Sequence, residues 1–151
     1  MARLMEWAHA PRISGIGYVA AYLAVALPFV MLDFLWLTLM GPRLYQATLG
    51  DVLRPNPNLW PAAIFYLIYP LGLIGFAVLP AYQEGSMLRA LALGFMFGCF
   101  SYATYDLTNH ATLRNWSTTL TLADICWGSV LAGCSATIGY LAVSRLFAGH
   151  G

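Results

Sequence analysis

No lysine occurs anywhere in the 151-residue chain, and charged side chains of every kind make up only 9% of it, against roughly 25% in ordinary soluble domains. A soluble domain of this length cannot cover its surface with so few charges, whereas lipid is a solvent that asks for none. Basic and acidic runs are missing too: seven arginines are scattered along the sequence and the net charge is +1, so nucleic acid is not an expected partner. Cysteine is sparse. Cys99, Cys126 and Cys134 fall in apolar runs without CxxC spacing, which reads as small packing residues, not as a disulfide framework or a thiolate metal site. Walker, Rossmann, GxSxG and zincin motifs are all absent. No metal is expected, and no cofactor can be named.

What is abundant is hydrophobicity, at 60% of residues, and aromatic side chains, at 15%. The apolar residues gather into four runs, about 15–40, 60–82, 87–109 and 120–147. Each exceeds the ~20 residues that carry a helix across ~30 Å of hydrocarbon. Continuous apolar runs without strand-like alternation favour helices over a barrel. The fold expected is an all-α integral membrane protein, a four-helix transmembrane bundle running up-down-up-down as one domain over 1–151. Arg3 and Arg12 before the first run imitate a signal peptide, but that run is long, contains Asp33 and lacks a small-x-small cleavage site, so it reads as a retained span.

Punctuation supports these boundaries. Gly41-Pro42 is expected to end the first span, with a short interfacial helix from Pro42 to Leu53 before the Pro55-Asn56-Pro57 break. Gln83-Glu84-Gly85-Ser86 reads as a tight turn between the second and third spans. Pro28 and Pro70 lie inside spans and are expected to kink them. Gly94/Gly98, Ser129/Gly133 and Ser135/Gly139 have the small-xxx-small spacing of closely packed membrane helices, here read as packing within the bundle. Trp7, Trp60 and Trp116 are expected to anchor at the headgroups.

An even number of spans puts both termini on one side. That side carries Arg3, Arg12, Arg89 and Arg145, and the other Arg43, Arg54 and Arg114. The balance points to cytoplasmic termini. Arginine without lysine, beside much alanine, suggests a GC-rich bacterial genome, and hence a bacterial inner membrane.

Three acids stand inside or at the edge of the spans. Asp33 lies roughly 10 Å before the end of the first, Asp106 near the end of the third and Asp124 near the start of the fourth. In an up-down-up-down bundle all three occupy one leaflet, joined there by Tyr66 and Tyr69 from the second span. Tyr102, Asp106, Asn109 and His110 share a helix face, with Tyr105 beside them. Asp33-x-x-Trp36 and Asp124-x-x-Trp127 repeat one pattern, in which an indole N–H can stand beside a carboxylate on its own helix. Structural alternatives accompany each acid. Thr121-Leu-Ala-Asp124 matches a capping box, Asp106 can pair with Arg114 at a helix end, and Asp33 can bond an indole of another helix. A carboxylate deep in an apolar span costs a few kcal/mol on insertion scales and needs a partner or a cavity.

The Asp33-x-x-Trp36 element, the run Phe65-Tyr66-Leu-Ile-Tyr69, the string Tyr102-Ala-Thr-Tyr105-Asp106-Leu-Thr108-Asn109-His-Ala-Thr112-Leu113 and Asp124-Ile-Cys-Trp127-Gly128 together resemble a bacterial family of predicted membrane proteins, the domain-of-unknown-function family 2177 (DUF2177). The resemblance runs from the first span to the fourth. It implies a four-span bacterial membrane protein and brings with it no activity, substrate or catalytic residue.

Three functions compete on this evidence. The first is an Asp-lined site for binding, or proton-linked transport, of a small ligand. The second is a membrane enzyme acting on a lipid, quinone or isoprenoid, with the acids and His110 moving protons. The third is an accessory subunit of a larger membrane complex or a homo-oligomer. The lipid bilayer is a partner in all three.

Overall fold

The computed structural model describes residues 15–147, the side chains of Ile16 and Phe147 apart. Those residues form an all-helical bundle with four helices long and apolar enough to cross a membrane. Helix α1 (Gly15–Met40) runs on through a π-helical turn (Gly41–Gln46) into Ala47–Leu49. Helix α2 comprises Leu59–Leu73, a π-helical segment Ile74–Val78 and Leu79–Gln83. Helices α3 (Met87–Thr112) and α4 (Thr118–Phe147) complete the bundle.

The exterior is apolar in the manner of a lipid-facing surface. Met31, Phe34, Phe76 and Leu88 are each at least two-thirds exposed, a pattern that water would not tolerate over so much of a small protein. Inside, Val25 and Phe29 of α1 meet Leu73, Ala77 and Val78 of α2 and Leu131, Ala136 and Tyr140 of α4. Helix α4 is the hub. It lies against α3 along its length and against α1 on its other side.

Gly98 explains how α3 and α4 approach so closely. A Cβ there would overlap the Gly128 carbonyl oxygen and meet Ala132. Gly94 likewise faces Ala132 and Ala136 across the same seam. The GxxxG pair is therefore spent inside the bundle, as its spacing suggested.

Gly41-Pro42 does not end the first helix, contrary to expectation. Proline lacks an N–H and clashes with the carbonyl four residues back. A wider π turn accommodates that defect without stopping the helix, so the expected surface helix is fused to α1 as its last turns. The candidate span Gly17–Leu49 has 33 residues, about 50 Å at helical rise, and so exceeds the hydrocarbon thickness or tilts within it. The second proline-rich helix shows the same device, its π segment lying between Pro70 and Pro80.

The turn after α2 matches its sequence. Gly85 takes φ +64°, while its N–H reaches the Tyr82 carbonyl and Ser86 N–H reaches Ala81, which is a Schellman ending. Ser86 then caps α3 by accepting from Arg89 N–H. Alanine at position 85 should cost about 1 kcal/mol, since L-residues avoid left-handed backbone. Thermal unfolding in detergent would measure it, and an unchanged midpoint would refute the strain argument.

Candidate functional site

The three acids are all buried, Asp33 at 6%, Asp124 at 5% and Asp106 at 0% exposure, at the end of the bundle where α1 leaves and α4 begins. Antiparallel packing decides their partners. Because α1 and α4 run in opposite directions, the Asp of each Asp-x-x-Trp element lies level with the Trp of the other. Trp127 Nε1 donates to Asp33 at 3.1 Å, and Tyr66 from α2 donates to the second Asp33 oxygen at 2.6 Å. Trp36 Nε1 donates to the Tyr45 hydroxyl at 3.1 Å, and Tyr45 donates in turn to Asp124. The two indoles stack with centroids 4.6 Å apart and planes 5° from parallel. Trp127 thus serves the acid of the opposite helix, and Trp36 reaches Asp124 only through Tyr45, correcting the expectation of an indole beside the carboxylate of its own helix.

Tyr45 is the residue that the sequence reading missed. It stands in the π turn, in what read as a surface helix, so nothing in its neighbourhood marked it. The turn that absorbs Pro42 sets its direction, and its hydroxyl links Trp36 to Asp124.

Asp124 is also not part of a capping box. Helix α4 starts at Thr118, and Ser117 accepts from Leu120 N–H at its beginning. Thr121 is a full turn inside, where its hydroxyl bonds the Ser117 carbonyl at 3.2 Å and faces His110 Nδ1 at 3.2 Å. His110 is thereby tied to α4. Among the described residues no group of three or more His, Cys, Asp or Glu side chains is placed to hold a metal ion.

Asp106 differs from its neighbours. The contacts His110–Thr121 and Tyr102–Gly128 bracket it, putting it level with Asp124 across the α3–α4 seam, within electrostatic reach. Neither of its carboxylate oxygens has a hydrogen-bond partner. The expected pairing with Arg114 does not form among the described residues, where the ion pair present is Arg89–Glu84 at 2.8 Å, exposed and of little energetic weight.

The remaining candidates divide. Tyr69 and Tyr102 join the interior, their rings 6.4 Å apart and edge to face, and Tyr69 stacks on Phe29 at 4.7 Å. Tyr105 turns away, more than half exposed, with its ring edge-on to Trp116 at 5.7 Å. Asn109 is half-buried and accepts from Leu113 N–H through its backbone carbonyl at the end of α3. Trp116 is not a headgroup anchor. It is buried against Leu49 and Leu120, with its indole donating to Thr121 at 3.0 Å. Trp60, three-quarters exposed, suits the anchoring role, and Trp7 lies outside the described residues.

Beside the cluster a cleft of about 780 Å³ opens between the π turn and the following loop. Leu37, Tyr45, Gln46, Leu53, Arg54 and Pro57 are among its lining residues. Tyr45 therefore borders both the cleft and Asp124.

Chemically, the end of the bundle combines three carboxylates, two of them held by phenol and indole donors and one enclosed without a donor, with a cleft alongside that Tyr45 helps to line. No curated protein and no solved structure matches the chain. Residues 18–141 match a family described as Predicted membrane protein (DUF2177). With four membrane-length helices and most of its length covered by that match, the chain belongs to the DUF2177 family of predicted membrane proteins.

Proposed function

We propose that the carboxylate cluster is a membrane-embedded site for binding or proton-linked transport of a small cationic or protic ligand, with Asp106 as the group left open to it. The supporting observation is the contrast among the acids. Asp33 and Asp124 have donors, whereas Asp106 is fully enclosed with both oxygens unpartnered. An isolated carboxylate in such surroundings is costly and keeps its charge only beside a cation, otherwise taking up a proton. Such a group exchanges one positive charge for another. The small residues on which an accessory-subunit reading would draw are used within the bundle.

Cytoplasmic termini in a bacterial inner membrane, supported by the arginine balance, would place the cluster in the leaflet facing away from the cytoplasm.

Asp106→Asn tests the reading with opposite signs for stability and function. Removing an unpartnered buried charge should raise the unfolding free energy in detergent by about 1–2 kcal/mol. Proton uptake should be lost in vesicles loaded with a pH-sensitive dye and driven by a potassium diffusion potential. Equal uptake by wild type and variant, or none by wild type, would overturn the proposal.

A further inference from the structure

The cleft beside Tyr45 has two polar side chains of different kinds among its lining residues, and their chemistry together defines a ligand. Arg54 lines it, is exposed and has no ion pair among the described residues, and its guanidinium is the planar donor that suits a phosphate. Tyr45 lines it as well. Its phenolic oxygen gives its proton to Asp124 and accepts one from Trp36, which leaves it one further lone pair. A hydroxyl backed by a carboxylate is a strengthened acceptor, matched to an N–H donor. Apolar Leu37, Leu53, Pro55 and Pro57 complete the lining. Leu37 belongs to the membrane-spanning stretch of α1 and is itself exposed to its surroundings.

A cation for a phosphate, an acceptor for an ammonium and an apolar wall in contact with lipid describe one chemical class. We infer that this cleft binds the headgroup of an aminophospholipid of the phosphoethanolamine type. Its phosphate is held by Arg54, its ammonium lies toward the Tyr45–Asp124 pair, and its chains lie against Leu37 and Leu53. The inference deepens the reading of the cluster as a cation site and names the ligand class that reaches it. A phosphoglycerol headgroup offers the Tyr45 acceptor only neutral hydroxyl donors, without the ammonium's charge. A quaternary headgroup has no N–H to donate.

The geometry also assigns Tyr45 a positioning role. The π turn at Gly41–Gln46 holds it between cleft and carboxylate, so an ammonium bonded to the phenol stands one hydrogen bond away from Asp124.

Native mass spectrometry of the full chain, purified in mild detergent and offered phosphoethanolamine, phosphoglycerol and phosphocholine lipids with identical chains, reads this out. The expected result is preferential retention of the phosphoethanolamine lipid by roughly tenfold, the size of one charge-assisted hydrogen bond. That preference should fall to near unity in Tyr45→Phe. Arg54→Gln, a change at an exposed position, should reduce retention of all three lipids, since each carries the phosphodiester that the guanidinium holds. Equal retention of all three headgroups, a preference unmoved in Tyr45→Phe, or retention unaffected by Arg54→Gln each overturns the assignment. Binding of water-soluble phosphoethanolamine as tight as that of the lipid overturns the lipid part. If wild-type vesicles take up protons through Asp106 while no lipid preference appears, the cleft assignment fails alone. If neither is seen, the reading of the cluster fails with it.

Discussion

Alanine in place of Asp33 should destabilise the bundle by about 2–3 kcal/mol. The side chain accepts from Tyr66 on α2 and from Trp127 on α4, so it ties three helices at one point. Truncation strands two buried donors, each costing about 1–3 kcal/mol when left without a partner. The figure is held below their sum because hydrogen bonds between membrane helices average only ~0.6 kcal/mol, and because a buried charge is removed at the same time. Asp33→Asn keeps the shape and one carbonyl acceptor. It should lose about half as much and remain folded. Denaturant titration in detergent, followed by circular dichroism and by Trp127 emission, separates the two variants. A loss below ~0.5 kcal/mol for Asp33→Ala would mean that the Tyr66 and Trp127 bonds do not hold the bundle together.

Gly98→Ala should be the most damaging single methyl addition, at about 3 kcal/mol. The new Cβ would overlap the Gly128 carbonyl oxygen, a backbone atom with no rotamer to change, and press on Ala132. Overpacking of this kind ordinarily costs 1–3 kcal/mol. The upper end applies because the opposing atom belongs to a rigid helix. Relief requires α3 to move away from α4, which would also separate Asp106 from Asp124. Thermal unfolding and proton uptake should therefore both suffer. Alanine at Gly75, where a Cβ meets nothing within 4 Å, is the control. A Gly98→Ala protein as stable as Gly75→Ala would show that the seam can open without cost.

Much of this was legible in the chain. Low charge and four long apolar runs are bulk properties of a lipid-solvated helix bundle, and they led to the right number of membrane-length helices, although the first runs on past Met40 to Leu49. The convergence of Asp33, Asp106 and Asp124 at one end followed from counting spans, because alternating direction brings the end of one span beside the start of the next. Other features were not legible. Pro42 looked like a stop because proline usually is one, and only the surrounding helix reveals that a wider turn can absorb it. Tyr45 was hidden for the same reason. Trp116 resembled an interfacial anchor in composition, yet the approach of Leu49 and Leu120 buried it. Asp124 matched a capping box only under a later helix start.

The intramembrane acids show where the division lies. Sequence alone determined that carboxylates sit within or at the edge of apolar helices and fall at one end of the bundle, since hydropathy and helix parity depend on residue order and nothing else. Which donor meets which acid was decided by tertiary structure. Antiparallel packing of α1 against α4 gives Asp33 the indole of the other Asp-x-x-Trp element, and the π turn delivers Tyr45 to Asp124. The same packing leaves Asp106 enclosed with no partner, because a hydrogen bond depends on side-chain direction across a helix seam and no spacing along one chain encodes that.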